Sequence, residues 1–188
     1  MSSVASLTIQ RVATLAAALA FVGLPAASRS ALQVLKLEAP NVVVISDQLI
    51  TSGQPSARAL AQLRAQGFDV VLYLAPPTVA DAVADEPTIL DAQGVQYLNI
   101  PIPFGSPTAQ DYAAVSAALA RFNGKKILVH CQVNMRASTM VFLHRVVVDK
   151  VPPDTAYESV TAVWSPQGPW KRLIIDVLRQ HRITFEPY

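Results

Sequence analysis

Apolar and polar positions along the chain fall into blocks of two lengths. The short blocks are β-branched and nearly continuous: VVVI (Val42 to Ile45), VVLYL (Val70 to Leu74) and ILVH (Ile127 to His130). Short runs bounded by turn residues read as strands, and a continuous apolar run reads as a strand covered on both faces. Leu49 to Ser52 is placed to pair with Val42 to Ile45, and Val95 to Ile102 is a further strand ended by Pro101 and Pro103. The longer blocks space apolar residues as a helix does. One is expected from Ser56 through Gln66, with Ala59, Leu60 and Leu63 on one face, Ser56 as cap and Gly67 past the end. Others are expected at Val79 to Gln93 (interrupted at Pro87), Ala109 to Phe122, Ala137 to Lys150, Tyr157 to Trp164 and Trp170 to Arg182.

Strands alternating with helices of about a dozen residues predict an α/β fold, a central, mostly parallel sheet flanked by helices on both faces. In such sheets ligands bind outside the carboxyl ends of the strands. The segment VHCQVNMRAST, Val129 to Thr139, lies at such an end: strand, loop, helix.

The first residues follow a different pattern. Arg11 is the only charged residue among the first 28, and an apolar stretch broken by Gly23 and Pro25 follows it. Ala26 and Ser28 then suit the small-x-small pattern of a cleavage site. This reads as a signal peptide over residues 1–28, which implies an exported, periplasmic or secreted protein. The stretch is shorter than a membrane span of about 20 residues. An uncleaved membrane anchor and a buried core helix are the alternatives. Residues 29–41 read as an irregular segment and residues 42–188 as the folded domain.

Composition narrows the chemistry. Apolar residues make up 52% of the chain, enough for a substantial core. A net charge of +2 gives no electrostatic reason to expect a nucleic-acid partner. A single cysteine excludes an internal disulfide framework and a multi-cysteine metal site. His130, His144 and His181 are scattered without ligand spacing, so neither metal nor cofactor is expected.

That cysteine, Cys131, stands between a strand end and a helix start. Unpaired backbone N–H groups and the helix dipole favour an anion there, a thiolate included. Arg136 supplies a planar fork suited to phosphate, sulfate or carboxylate. A nucleophile facing an anion cradle is equipment for group transfer through a covalent thiol intermediate. The bland readings are an inert buried thiol at Cys131 and a salt-bridged helix residue at Arg136. His130 reads as a strand-end residue with satisfied hydrogen bonds. Gln54 and Ser52 read equally as pocket lining or as turn residues. Trp164 and Trp170 read as packing, and His144 and Arg145 as the outer face of the helix after the loop.

HC, a short loop, Arg and then Ser resemble the signature of cysteine-dependent tyrosine and dual-specificity phosphatases. TSGQPS (Thr51 to Ser56), GFDVVLYL (Gly67 to Leu74), DE (Asp85, Glu86), GVQYLNIPI (Gly94 to Ile102) and HCQVNMRAS narrow the resemblance. In this order they are similar to the bacterial protein tyrosine phosphatase-like family, which also occurs fused to beta-lactamase-like hydrolases. The resemblance spans roughly Val42 to Val148. It implies a tyrosine/dual-specificity phosphatase-like fold and hydrolysis of phosphoesters, phosphotyrosine among them, through a phosphocysteine. Cys131 would be the nucleophile. The backbone of Gln132, Val133, Asn134 and Met135, with Arg136, would bind the oxyanions. Ser138 would help the thiol to leave.

The pattern departs from those phosphatases in two respects. They place one residue more between Cys and Arg than the four found here, Gln132 to Met135, although Ser138 keeps its place seven residues after Cys131. The shorter spacer resembles rhodanese-type sulfurtransferases, so transfer from a Cys131 persulfide stays open, as does a module that binds phosphate or sulfate without turnover. The loop also lacks glycine, and Asn134 is the residue best suited to a left-handed conformation there. Second, the loop Ile100 to Thr108, where dual-specificity phosphatases commonly carry their acid, has no carboxylate. Asp85 and Glu86 are the expected substitutes, with Asp81 and Asp111 behind them. The expected partner is a phosphorylated or sulfur-donor substrate. A membrane enters only through an uncleaved N-terminal segment.

Overall fold

The structure is a computed structural model and describes residues 37–188. The expected signal peptide, residues 1–28, and residues 29–36 of the irregular segment lie outside the described residues. No helix among the described residues is long and apolar enough to cross a membrane.

Five strands form one sheet: β1 (Val43–Ser46), β2 (Leu49–Ser52), β3 (Val70–Tyr73), β4 (Gln96–Asn99) and β5 (Ile127–His130). Their order is β1-β2-β5-β3-β4. Only β1 runs antiparallel, hairpinned to β2; the β2–β5, β5–β3 and β3–β4 pairs are parallel. The segments leaving β2, β3, β4 and β5 therefore emerge at one end of the sheet, with that of β5 in the middle.

Alternate residues of the central strands sort into two cores. Val70, Leu72, Ile127 and Val129 join the larger one, while Ile50, Val71 and Leu128 join the smaller. The larger core is closed by α3 (Ala109–Arg121), α4 (Met135–Val147), α5 (Pro153–Thr161) and α6 (Gly168–Gln180). The smaller is closed by α1 (Ala57–Leu60) and α2 (Glu86–Asp91), through Leu60 and Leu90. Burial on both faces is why these strands had to be continuously apolar.

Several elements differ in extent from the sequence expectation. The helix expected at Val79 to Gln93 is only α2, and residues before Glu86 are turns. Pro87 stands in the first turn of this helix rather than interrupting it: its fixed φ suits that position, and its missing N–H costs no helical bond there. Ser56 does cap α1, accepting from the Ala59 N–H, but the helix yields to a 3₁₀ turn at Arg64–Gln66. Pro153 likewise opens α5, which begins ahead of the expected start at Tyr157. His144 is buried and Arg145 half-buried, so neither forms an outer face. Helix α4 is covered by the sheet on one side and by α3, α5 and α6 on the others.

Candidate active site

The β5 strand delivers Cys131 to the centre of the sheet's carboxyl end, and α4 begins four residues later at Met135. Asn134 makes the turn between them with φ +71°, the left-handed conformation expected of it. Its side-chain amide donates to the Asn41 carbonyl at 2.6 Å and to Thr51 Oγ1 at 3.0 Å, which pins the loop to β2 and to the segment before β1. A second tie runs through Gly53, which bridges to Val133, while the Gln54 N–H donates to the Gln132 carbonyl at 2.9 Å. Gly53 is a glycine of necessity: a Cβ there would lie 2.7 Å from the Gln132 carbonyl oxygen and 2.8 Å from Pro40 Cβ.

Between these ties the loop leaves donors free. The amides of Gln132, Val133, Met135 and Arg136 have no protein acceptor among the described residues. Met135 and Arg136 stand in the first turn of α4, whose amides have no partner within the helix. The Arg136 side chain is 4% exposed and held on one edge. Its Nε donates to the Ile102 carbonyl at 2.9 Å and its Nη1 to Gln132 Oε1 at 3.4 Å. The guanidinium lies 5.1 Å from the centre of the Phe104 ring. Its Nη2 has no partner among the described residues and is free for an anion. Cys131 is fully buried. Burial alone fits an inert thiol; free amides and a tethered guanidinium on the same short loop fit an anion site.

The structure separates the expected acids. Glu86 is 1% exposed, with Oε1 paired to His130 Nε2 at 2.7 Å and Oε2 accepting from Gln54 Nε2 at 2.9 Å. It lies beneath the loop as a strut. Asp85 is exposed at the start of α2 and makes no bond to the loop. Asp111 is consumed by the capping box of α3, bonded to Thr108. Asp81 alone of the four reaches the loop, accepting from Gln132 Nε2 at 2.8 Å. Ser138 is buried, and its hydroxyl donates back to the Met135 carbonyl at 3.3 Å, with no bond to Cys131.

His130 is only half satisfied: Nε2 meets Glu86, while Nδ1 is buried without a partner among the described residues. Its ring stacks on Tyr73, with centres 4.7 Å apart. The Tyr73 hydroxyl is pushed up to about 12, first by burial, then by the charges of Glu86, Asp81 and Cys131, with Arg136 opposing. Sequence reasoning missed the strut role of Glu86, the two side-chain hydrogen bonds of Gln132 and the contact of Phe104 with Arg136. Apart from Gln132 and Arg136, which share the loop, these partners are far apart in the chain and leave no spacing signal.

No protein-family profile and no curated protein matches the chain. Solved structures do. A candidate phosphatase (DUF442) from Shewanella putrefaciens CN-32 is 28% identical, covering 76% of this chain and 94% of its own, with a TM-score of 0.70. The protein Tk-PTP, in its active form, is 23% identical over 76% of this chain and 96% of its own, with a TM-score of 0.60. The protein PTPMT1, solved with PI(5)P, is 15% identical over 75% and 96%, with a TM-score of 0.62. The chain thus carries the fold of the cysteine-dependent, protein tyrosine phosphatase-like phosphatases and resembles their bacterial members.

Proposed function

We propose that the chain is a cysteine-dependent hydrolase of phosphoesters. The observation that carries this reading is the loop itself. Four unpaired amides and the free Nη2 of Arg136 stand on the six residues that begin with Cys131. In the proposed reaction the Cys131 thiolate attacks phosphorus while those donors bind the non-bridging oxygens. Water then releases phosphate from the phosphocysteine. Glu86 and His130 hold the strand end that presents the thiol. Ser138, bonded to Met135, fixes the first turn of α4.

Sulfur transfer is the second reading, favoured by the four-residue spacer from Cys131 to Arg136. One experiment separates the two. The protein and its Cys131→Ser variant are assayed with an aryl phosphate, and with thiosulfate plus cyanide. Aryl phosphate turnover that disappears in the variant supports the phosphatase. Thiocyanate formation without phosphate release overturns it in favour of sulfur transfer. Binding of inorganic phosphate or sulfate with neither activity points to a recognition module.

Export is part of the proposal and rests on the pattern around Arg11 and Ser28. N-terminal sequencing of the protein recovered from its native compartment tests it; an intact first residue would replace cleavage with anchoring.

A further inference from the structure

Cleaving a phosphoester requires a proton at the leaving oxygen, worth about 10² to 10⁴ in rate when the leaving group is poor. The loop after β4 has no carboxylate to give it, Glu86 is buried with both oxygens engaged, and Asp111 is spent on a helix cap. Sheet order supplies another source. Strand β3 lies beside β5 and parallel to it, so the loop that leaves β3 emerges next to the cysteine loop. Asp81 belongs to that loop and is exposed.

We propose that Asp81 is the proton donor of this reaction and that Gln132 positions it. The inference rests on the phosphatase reading and adds to it the missing acid. The Gln132 amide holds Asp81 and Arg136 at once: Nε2 donates to Asp81 Oδ1 at 2.8 Å, and Oε1 accepts from Arg136 Nη1 at 3.4 Å. A side-chain amide places a donor toward a carboxyl and an acceptor toward a guanidinium on two separate atoms. Asp81 Oδ2 has no protein partner among the described residues, which leaves it to carry the proton. An open cleft of about 570 Å³ lies alongside, lined by Pro40, Gln54, Pro55, Asp81, Val83 and Gln132 among others. The leaving group occupies this cleft, with Asp81 at its wall.

The steps balance. As Cys131 Sγ bonds to phosphorus, the bond from phosphorus to the leaving oxygen breaks, and that oxygen takes the proton from Asp81. In the second step the Asp81 carboxylate accepts a proton from water. The water oxygen bonds to phosphorus, and the S–P bond breaks to return the thiolate. Asp81 ends protonated, as it began.

The test compares phenyl phosphate, whose leaving group needs the proton, with 2,4-dinitrophenyl phosphate, whose leaving group departs as an anion. Asp81→Asn is expected to slow the first by about 10² or more and the second by less than about tenfold. Its kcat profile also loses the high-pH limb that reports the donor. Asp81→Glu, which keeps a carboxyl, recovers part of the phenyl phosphate rate. Gln132→Ala lowers kcat on phenyl phosphate more than it changes KM, a split that a merely structural role would not produce. Asp85→Asn keeps the wild-type ratio between the two esters. Equal losses on both esters in Asp81→Asn, or the selective loss in Asp85→Asn instead, overturn the assignment while leaving the phosphatase intact. Failure of the wild type to turn over either ester removes the reading and the assignment together.

Discussion

Glu86 and His130 meet at 2.7 Å in a part of the molecule that solvent does not reach. They are separated by 44 positions in sequence, and His130 directly precedes the candidate nucleophile. Removing one member of such a buried pair strands the other and costs about 3–5 kcal/mol, whereas removing both costs much less. Denaturant unfolding of Glu86→Ala, His130→Leu and the double variant forms a thermodynamic cycle. The double variant is expected to lie well above the sum of the single losses in stability. Strict additivity would show that the pair does not act as a unit.

Gly53 controls how closely β2 approaches the cysteine loop. Gly53→Ala forces a methyl group against the Gln132 carbonyl oxygen and the Pro40 ring. Overpacking of this kind costs about 1–3 kcal/mol. It also separates Gln54 from Gln132, so esterase activity on aryl phosphates should fall even at temperatures where the variant is folded. A variant with unchanged melting temperature and unchanged kcat/KM would contradict this.

Asn134 should tolerate glycine better than alanine. At φ +71° a β-carbon costs about 1–2 kcal/mol, and both substitutions lose the same bonds to Asn41 and Thr51. The expected order of stability is therefore wild type, then Asn134→Gly, then Asn134→Ala. Equal stability of the two variants would remove the conformational part of the argument.

His144 predicts a pH dependence away from the site. Its Nδ1 lies 2.9 Å from Ser116 Oγ and its Nε2 3.8 Å from Asp149. Burial holds the imidazole below its ordinary 6.5, with the Asp149 carboxylate opposing. The unfolded chain then binds this proton more readily than the folded one. Its contribution is fully favourable above about pH 6.5 and is lost as pH falls below that value. Urea midpoints measured between about pH 5 and pH 8 should decline at the acid end for the wild type and less steeply for His144→Gln. Parallel curves would show that His144 does not contribute.

Much of the fold was legible because burial dictates residue type. Val70 to Leu74 reads as a covered strand since any polar residue there would face one core or the other. Asn134 could be singled out because it was the residue of its loop best suited to a positive φ. Pro87 misleads because a proline inside an apolar pattern signals a break or a beginning equally, and only the burial of Leu90 in the smaller core decides. His144 reads as an outer-face residue only if α4 has one covered side, whereas the sheet and three helices cover it. The geometry of the site was legible only where it is contiguous. Cys131, Arg136 and the loop amides lie on one segment, whereas Asp81, Glu86 and Ile102 arrive from other strands.

Both tryptophans of the chain, Trp164 and Trp170, lie 6.1 Å apart and against Phe104, whose carbonyl accepts from Trp170 Nε1 at 2.8 Å. Phe104 in turn carries the Arg136 guanidinium on its ring. The molecule therefore holds its whole indole emission one residue away from the group that would first sense an arriving oxyanion. Titration with inorganic phosphate needs no added label: the chain's own fluorescence becomes the gauge of occupancy.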